Sequence, residues 1–527
     1  MKKFTLLFFA LIAMKASSQT LPVYNITALD TARSEGYYFL CAFEFGSFTT
    51  TYPLQMILDK YGRLVYMRKT VSNTSYDFKL QPDGHISHSS GSRFFIVDSM
   101  FRVVDSVSCK NGITSDGHDL QILPNGHFLM LGTESITMDL SSYNMFNHNG
   151  SPGNAAASVK CGVIQELDAA KNVVFEWHAK DHFAFDDVDE DFLSNPSIVD
   201  WTHFNSVDLD SDGNILVSSR HFNEITKINR SDSTVMWRFG GKRNQFTFLN
   251  DTMKFKGQHD ARRIANGNIV MFDNGFASPL HPASAKEYQL NLATMEATLA
   301  WSYMDNAAAY SEATGGVQRL DNGNTLTDYG AIHNNNLVFN VVDTAGTKVF
   351  EIVFPDSAVS YRAYNYPALP WQLPRPQLTC YNVGSQYYLD AGPGYATYKW
   401  STGATTQTIP ISAADTYNVF VRLANTGYIS SEYMVVTDPT NPCLVSGIAE
   451  PASESFDLYP NPVSKILHLE IAAAKHAAIT VADIAGRILL VSKVVADKTD
   501  LDLSALSDGV YFLRMGDSVK KIIKRQE

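Results

Sequence analysis

The sequence predicts an all-β protein, formed mainly by a six-bladed β-propeller and continued by two small β-sandwich domains. Two features predict the propeller: a turn that recurs at long intervals, and a β-hairpin that accompanies several copies of that turn. Alternating strands separated by Gly-rich turns follow a run of prolines and predict the sandwiches.

The recurring turn has Asp-Gly or Asn-Gly at its centre, flanked by residues that are typical of strands. Its five copies lie at residues 82–84, 124–126, 212–214, 266–268 and 322–324. Glycine after Asn or Asp supplies the positive φ angles that a tight hairpin needs. An open β-sandwich with coincidental Asn-Gly turns is the alternative, but five recurrences favour a repeat.

A strand, a polar turn and a second strand that often ends in Trp accompany several of these turns. The examples are residues 166–177, 227–237 and 289–301. Two hairpins make a four-stranded blade, and a repeat of about 40–60 residues is the length expected of a propeller blade. We therefore predict a propeller over residues 19–364, with the last blade completed by an N-terminal strand at Tyr37–Phe43.

The pattern changes after the propeller. Prolines stiffen a linker at residues 365–376, and short alternating strands with Gly- and Thr-rich turns follow at residues 377–445. This stretch resembles the small immunoglobulin-like modules of secreted bacterial proteins, and Trp400 is expected in its core. A second linker, residues 446–454, leads to the tail.

The tail, residues 455–527, opens with Tyr459-Pro460-Asn461-Pro462 and later contains Gly509-Val510-Tyr511. It closely resembles the C-terminal sorting domain of type IX secretion. The resemblance implies that the type IX secretion machinery recognises the tail. It also implies passage across an outer membrane, followed by release or attachment at the cell surface.

The N-terminus has the three parts of a signal peptide, which we place at residues 1–18. Lys2 and Lys3 are positively charged, residues 5–14 are apolar but too few to span a bilayer, and small residues precede Gln19. No later stretch has the length and apolarity of a transmembrane segment. Together with the tail, this predicts a protein that is secreted or held on the outer-membrane cell surface.

Charge and cysteine content limit the partners. The net charge is −12 and basic residues cluster only in the last few positions, so we expect no nucleic acid partner. Cys380 and Cys443 bracket the second domain and are the preferred disulfide pair, and Cys109 could also pair with Cys161. Because the chain has five cysteines, at least one thiol stays free or pairs outside the chain.

Three histidines occupy the same place in three repeats, each before a repeat turn: His118, His203 and His259. Equivalent positions of propeller blades face one region, so these side chains should gather near the central axis. Asn205 lies two residues after His203, on the same face of a strand, and Arg220 follows the same turn.

These side chains suit an anion of sulfate or phosphate type. Arg with His and Asn donors binds such groups, and a neutral imidazole can act as a nucleophile. Three histidines can also ligate zinc, but a guanidinium beside a cation is unfavourable, so we expect no metal. The alternative is that histidines only brace the loops; we interpret His127 and His221 as such bracing or surface residues.

Several of these residues stand in a pattern known from one family. The pattern resembles that of the bacterial aryl-sulfate sulfotransferases in Gly117-His118-Asp119, His203-x-Asn205, Arg220 and His259-Asp260. The resemblance implies transfer of a sulfuryl group from a phenolic sulfate donor to a phenolic acceptor. It also implies a ping-pong route through a sulfohistidine, with neither a nucleotide sulfate donor nor a cofactor.

The resemblance also implies a role for each residue. His259 is the nucleophile, Arg220 and His118 hold the sulfuryl oxygens, and His203 exchanges a proton with the phenolic oxygen. Asn205 orients the sulfate or the imidazole. Two alternative functions remain: a non-catalytic propeller used for surface binding or adhesion, and a hydrolase that releases the group to water from the same pocket.

One acidic turn has a second interpretation. Asp208, Asp210 and Asp212 match the first half of a calcium-binding loop, but Ser219 stands where a bidentate Glu is required. We interpret the turn as an acidic copy of the repeat turn, with a calcium site as the alternative.

Overall fold

The computed structural model describes residues 21–44, 53–70, 75–145, 150–276, 280–305, 310–332, 336–355, 358–423, 427–443, 456–471, 478–483, 488–493, 498–515 and 518–525. The predicted signal peptide, residues 1–18, lies outside these residues.

Six antiparallel sheets form the blades of a propeller, which confirms the predicted fold class. Blade 1 consists of β5 (Lys79–Leu80), β6 (Ile86–Ser89), β7 (Phe94–Val97) and β8 (Val103–Val107). Blade 2 consists of β9 (Thr114–Ile122), β10 (Phe128–Met138), β11 (Ala157–Leu167) and β12 (Val173–His178). Blade 3 consists of β14 (Phe204–Leu209), β15 (Ile215–Ser219), β16 (Glu224–Ile228) and β17 (Val235–Gly240). Blade 4 consists of β19 (His259–Arg263), β20 (Ile269–Asp273), β21 (Ser284–Asn291) and β22 (Glu296–Tyr303). Blade 5 consists of β23 (Gly316–Arg319), β24 (Thr325–Asp328), β25 (Leu337–Val342) and β26 (Lys348–Val353). Blade 6 consists of β27 (Val359–Tyr366), β2 (Tyr37–Phe43), β3 (Leu54–Asp59) and β4 (Leu64–Lys69).

Short elements extend or connect the blades. The added strands are β1 (Asn25–Leu29) on β26, β13 (Ile198–Asp200) on β11 and β18 (Thr247–Leu249) on β22. Short 3-10 helices lie at Ala179–Asp181, Phe185–Asp187, Glu190–Phe192 and Arg220–Phe222. The first three lie in the segment that connects blade 2 to blade 3.

The five predicted repeat turns share one geometry. The φ angle of the glycine lies between 80° and 89° in all five turns. In each turn the Asp or Asn side-chain oxygen accepts a hydrogen bond of 2.9–3.1 Å from the backbone N–H two residues later. The acidic or amide side chain therefore closes the turn, and glycine supplies the left-handed backbone that other residues avoid.

The ring is closed by strands from its two ends. In blade 6 the innermost strand, β27, pairs with β2, from Tyr37 opposite Tyr366 to Phe43 opposite Val359. The N-terminal part thus contributes β2, β3 and β4, three strands where the sequence indicated one. The hydroxyl of Tyr366 then bonds to the backbone N–H and carbonyl of Leu80, which joins blade 6 to blade 1.

Apolar side chains fill the space between neighbouring blades. Strands such as β15 and β25 are buried along their whole length, because each blade is covered on both faces. Between blades 3 and 4, Phe239 lies with its ring centre 5.5, 5.1 and 5.2 Å from those of Phe246, Phe255 and Tyr288. Burial of one such side chain stabilises the fold by about 1.5–3 kcal/mol. The packing fixes the inner strands on which the site is built.

The small β-sandwich that follows shares a sheet with the propeller. Its strands are β28 (Thr379–Val383), β29 (Gln386–Asp390), β30 (Tyr398–Trp400), β31 (Thr408–Pro410), β32 (Asp415–Tyr417), β33 (Val419–Leu423), β34 (Gly427–Ser430) and β35 (Met434–Val436). β34 pairs with β4, so one seven-stranded sheet runs from blade 6 into the sandwich. Trp400, in the core as expected, belongs to the same buried cluster as Tyr66 of β4.

The sandwich contains the predicted disulfide, between Cys380 and Cys443. The alternative pairing of Cys109 with Cys161 is wrong, because both thiols are free and buried. Cys109 packs in the apolar cluster of Phe94 and Ile122, whereas Cys161 packs in a separate cluster. The two thiols therefore do not meet.

The tail folds as two sheets around one apolar core. Its strands are β36 (Phe456–Tyr459), β37 (Ile466–Ile471) and β40 (Lys498–Asp502) in one sheet, and β38 (Ala478–Asp483), β39 (Ile488–Lys493), β41 (Gly509–Met515) and β42 (Ser518–Lys524) in the other. Leu467, Val481 and Leu513 lie in this core. Across all the ranges that the structure describes, no helix has the length and apolarity needed to cross a membrane.

Candidate active site

The three histidines lie together on the innermost strands of blades 2, 3 and 4. His118 is within β9, His203 directly precedes β14, and His259 begins β19. The ring centres of His118 and His203 are 4.9 Å apart, and those of His203 and His259 are 6.5 Å apart. The prediction that equivalent positions of three blades bring these side chains together is confirmed.

His203 is held by a carboxylate and by a second imidazole. Its Nδ1 is 2.7 Å from Oδ2 of Asp200, and its ring centre is 4.6 Å from that of His221, on which it stacks. Its φ of +46° is a backbone conformation that the surrounding structure must hold in place. Burial lowers the pKa of His203, and Asp200 acts in the opposite direction. Since Nδ1 faces Asp200, Nε2 is the nitrogen available for proton exchange with a ligand.

His118 has a partner of the same kind. Its Nδ1 contacts Oδ1 of Asp116, and its side chain is 20% exposed. Burial raises the pKa of Asp116, but the charge and hydrogen bond of His118 outweigh this effect and hold that pKa below its usual value. The backbone carbonyl of His118 accepts a 2.7 Å hydrogen bond from the Tyr361 hydroxyl. The position and the ring orientation of His118 are therefore both fixed.

Arg220 is buried between two aromatic rings. Its guanidinium lies 4.8 Å from the ring centre of Phe192 and 4.7 Å from that of Phe276. It donates to Nε2 of His221 at 2.8 Å and to the backbone carbonyl of Glu312 at 2.6 Å, and its Nε has no partner. Among the described residues no carboxylate lies within ion-pair distance. Burial lowers the pKa of Arg220 to about 10, so it is a cation at neutral pH.

His221 lies beside the predicted site residues. It is not a surface residue, and its contacts agree with the bracing role that the sequence left open. It is 7% exposed and stacks on Phe192, with ring centres 4.3 Å apart. Its Nδ1 donates to the backbone carbonyl of Asp200, and its Nε2 accepts from Arg220. Burial and two neighbouring cationic or imidazole groups place its pKa well below the usual value. His221 is thus a neutral ring that positions Arg220.

His259 is the most deeply buried of the three predicted histidines, at 1% exposure. Its Nδ1 lies 2.8 Å from Oδ1 of Asn274 and 3.1 Å from the carbonyl of Gly257, and both of these atoms are acceptors. Its Nε2 accepts a hydrogen bond of 3.2 Å from the backbone N–H of Thr314. Burial, together with the charge of Arg220, places the pKa of His259 well below the usual value. The ring is therefore neutral, with its proton on Nδ1 and its lone pair on Nε2.

Asn205 links blade 3 to blade 4. Its Nδ2 donates to the backbone carbonyl of Gln258 at 2.7 Å, next to His259. Its Oδ1 is buried without a hydrogen-bond partner. A buried unpaired acceptor is costly, so this oxygen is a contact point for a donor group or for a water molecule.

Buried charges tie the site strands together. Arg362 of β27 is 2% exposed and donates to the backbone carbonyls of His118 and Asn205. Its guanidinium also lies 3.9 Å from Asp119 and 3.5 Å from Asp260, each the neighbour in sequence of a site histidine. One side chain from blade 6 therefore holds the inner strands of blades 2, 3 and 4.

Within the ranges that the structure describes, neither the cluster around His203 nor the acidic turn at Asp212 suits a cation. Asp200, His203 and His221 offer atoms within 4.8 Å of one another, but Arg220 donates to the ring of His221 at this point. The calcium alternative for the acidic turn fails because the ammonium of Lys227 contacts both Asp210 and Asp212. The donors around Arg220 instead suit an anion.

The structure thus brings together all five residues predicted for the site. Sequence reasoning missed His221, Asn274 and Thr314, and it did not select the partners of His118 and His203. Those partners had a signal, because Asp116 and Asp200 lie two and three residues before their histidines. No sequence signal pointed to Asn274 or to the backbone of Thr314.

A family model described as arylsulfotransferase (ASST) matches residues 23–365. A second, described as a secretion system C-terminal sorting domain, matches residues 457–526. Among curated proteins, none matches this sequence.

Solved structures with a similar fold are distant. A protein of unknown function from Bacteroides caccae is 12% identical, with a TM-score of 0.40, over 62% of this chain and 99% of that one. PorZ, a surface component of the type IX secretion system of Porphyromonas gingivalis, is 11% identical, with a TM-score of 0.32, over 95% and 58%. A catalytically inactive virginiamycin B lyase from Staphylococcus aureus is 9% identical, with a TM-score of 0.33, over 70% and 96%. None of these likenesses carries an argument about the chemistry of the site.

Proposed function

The chain belongs to the arylsulfotransferase family, and from this membership we propose that it transfers a sulfuryl group from a phenolic sulfate ester to a phenolic acceptor. The group passes through a sulfohistidine at His259, and no nucleotide sulfate donor takes part. The sorting domain directs the protein to the cell surface or the medium, and we propose the type IX secretion machinery as the exporter.

One observation carries the proposal: the buried guanidinium of Arg220 makes no ion pair with a carboxylate of the described residues, and its charge acts on the buried imidazole of His259, whose pKa it lowers. A cation in this position loses its hydration and is stabilised when an anion binds. A sulfate ester supplies a single negative charge and tetrahedral oxygens. The imidazole supplies a nucleophilic lone pair that protons do not block at neutral pH.

In the first half-reaction, Nε2 of His259 attacks the sulfur atom of the donor. The N–S bond forms as the bond from sulfur to the phenolic oxygen breaks, and the electron pair of that bond remains on the oxygen. His203 gives its Nε2 proton to this oxygen, so that phenol leaves, and Asp200 stabilises the imidazolium form of His203 before the transfer. The N–H of Thr314 leaves Nε2 as sulfur approaches.

Arg220 and His118 stabilise the sulfuryl oxygens while the group moves. The unpaired Nε of Arg220 offers one donor, and Nε2 of His118 can offer a second. Fixed donors of this kind typically contribute about 100- to 1000-fold each to a rate.

In the second half-reaction, a phenolic acceptor takes the place of the first product. Its hydroxyl gives a proton to Nε2 of His203 and its oxygen bonds to sulfur. The N–S bond breaks, and the electron pair returns to Nε2 of His259. Water in the acceptor's place would give hydrolysis, which is the second candidate function.

The test is release of 4-nitrophenol from 4-nitrophenyl sulfate by the exported protein, with and without added phenol. We expect phenol to accelerate release, and we expect His259→Ala to abolish it. His85→Ala is the matched control, because His85 is exposed and bonded to Asp83 on a distant turn. When the acceptor is withheld, mass spectrometry should find one SO3 group on the peptide that contains His259.

Other outcomes would favour the alternatives. Release that is indifferent to phenol indicates a hydrolase. Absence of release from the wild-type protein, with every donor of this class tried, indicates a binding propeller.

A further inference from the structure

The three histidines of the site share one geometry, but the chemical group that contacts Nδ1 differs among them. Each presents Nδ1 to a side-chain oxygen: Asp116 for His118, Asp200 for His203, and Asn274 for His259. Two of these partners are carboxylates, and the third is an amide. Nδ1 is thereby occupied in all three rings, and any exchange of a proton or sulfuryl group falls to Nε2.

The two kinds of partner favour different states of an imidazole. A carboxylate at Nδ1 stabilises the imidazolium form, because it places a negative charge beside the ring. An amide oxygen accepts the Nδ1 proton equally well but adds no charge, so it selects one neutral tautomer. An acid–base group needs the first partner, and a nucleophile needs the second.

The orientation of Asn274 is fixed by its other hydrogen bonds. The side chain is fully buried, and its Nδ2 donates to Oγ of Ser311 at 3.1 Å and to the carbonyl of Thr314 at 3.0 Å. A flipped amide would place an oxygen against the Thr314 carbonyl, which cannot donate. Oδ1 therefore faces His259, whose Nδ1 must be the donor.

Thr314 connects the two ends of this arrangement. Its carbonyl accepts from Asn274 while its N–H donates to Nε2 of His259. The same residue therefore supports the amide and contacts the reacting lone pair. The conformation of Thr314, with a φ of +62°, allows both bonds.

We propose that Asn274 is a positioning residue that holds His259 as the neutral tautomer protonated on Nδ1, and that its amide selects His259 as the nucleophile among the three histidines. The part of the inference that concerns the nucleophile rests on the proposed sulfuryl transfer. The part that concerns the tautomer of His259 applies to the free protein. The charged and titratable groups that face His259 are Arg220, His203 and His118. Each of these three groups disfavours a positive charge on the His259 ring. The uncharged amide of Asn274 does not oppose this effect.

The test exchanges the amide for a carboxylate of the same shape, in Asn274→Asp. We expect the His259 imidazolium to become populated near neutral pH, because the new charge faces Nδ1. The reaction of 4-nitrophenyl sulfate should then fall by about tenfold or more near pH 6 and recover as the pH rises, since one unit of pKa is a factor of ten. Asn274→Leu, which has a similar volume and no acceptor, should lose turnover at every pH.

A readout without substrate separates this inference from the proposed function. In protein labelled with 15N-histidine, ring nitrogen shifts report the tautomer and charge of His259, assigned by comparison with His259→Ala. We expect a neutral ring protonated on Nδ1 in the wild type and an imidazolium in Asn274→Asp.

Three results would overturn the inference. The first is an Nε2-protonated ring in the wild type, and the second is a neutral ring with an unchanged pH profile in Asn274→Asp. Full turnover in His259→Ala would instead contradict the proposed function, while the shifts of the wild-type ring could still agree with the role of Asn274. A loss in Asn274→Asp that is equal at all pH values would indicate a merely structural role and would also overturn the inference.

Discussion

Arg220 loses most of its hydration between Phe192 and Phe276, and the charges of Asp200 and Glu312 offset only part of this loss, without an ion pair among the described residues. Its hydrogen bonds go to a neutral imidazole and a backbone carbonyl. A buried charge without a counter-ion costs stability, and it is kept where a ligand supplies the missing charge. Under the proposed function, Arg220 lowers the stability of the free protein and raises its affinity for an anion.

Replacing Arg220 with Met should separate these two quantities. We expect the free energy of unfolding to stay constant or rise, because an apolar side chain of similar length suits the two rings. Turnover of 4-nitrophenyl sulfate should fall by about 100- to 1000-fold. Thermal melts and initial rates measure the two effects, with the exposed Arg93→Met as control. A marked drop in stability would contradict this account.

The sequence identified site residues whose type and spacing are unusual, and it missed those whose role depends on position alone. His118, His203 and His259 recur before equivalent turns, so a repeat reveals them. Asn274 is one amide among many, and Thr314 acts through a backbone N–H that any residue except proline possesses. Only the packing of β20 against the segment before β23 shows that these groups meet at His259.

The strands of the site are positioned by an ionic contact that spans several elements. Arg362 lies on β27, yet it donates to backbone carbonyls of β9 and β14. It also lies close to Asp77, Asp119 and Asp260. In contrast to Arg220, it lies among carboxylates. Lys79 and Arg262 also pair with these carboxylates, so the contacts that only Arg362 supplies are its hydrogen bonds to the backbone.

Arg362→Met should destabilise the propeller by about 1–3 kcal/mol, because the buried carbonyl of Asn205 loses its donor. We expect no such loss of stability from the same substitution at Arg220. Chemical unfolding of the two variants, side by side, measures this difference. We also expect Arg362→Met to lower turnover, because the carbonyls of His118 and Asn205 lose their common donor. Equal stability of the two variants would contradict the assigned role.

Regular elements were predictable where local chemistry specifies them. The Asx side chain and the glycine of each repeat turn suffice to form a hairpin, and all five occur where expected. The additions to the blades were not predictable: β13 and β18 join β11 and β22 as parallel edge strands, and only tertiary contacts determine such pairings. The segment between blades 2 and 3 contains three 3-10 helices, and the helix Glu190–Phe192 supplies Phe192 to the site.

At the scale of the whole molecule, the propeller and the first sandwich form one unit. The sheet of blade 6 continues through β4 into β34, and the cluster that contains Tyr66 also contains Trp400. Trp371, in the predicted linker, donates to the carbonyl of Gly84 in blade 1. The stretch between the two domains is thus packed against the propeller along part of its length.

The disulfide should matter to this unit as a whole. Cys380 and Cys443 are 63 residues apart, and a loop of that length corresponds to about 4 kcal/mol of unfolded-state entropy. We expect Cys380→Ser to lower the thermal midpoint of the propeller as well as that of the sandwich. A reductant should lower the wild-type midpoint to the same value and leave the variant unchanged. A propeller that melts at the same temperature in both proteins would contradict the shared sheet.

The pairing of β2 with β27 also bears on the order of events during synthesis. Tyr37 emerges early and Tyr366 late, yet they are neighbours in blade 6. Until β27 arrives, one edge of β2 is open to strands of other chains, and such distant pairing slows folding. Once the ring has formed, the strands at both ends of the described propeller are paired inside it, because β2 pairs with β27 in blade 6 and β1 pairs with β26 in blade 5. The finished propeller should therefore unfold slowly, and its lifetime should be longer than its equilibrium stability alone would suggest.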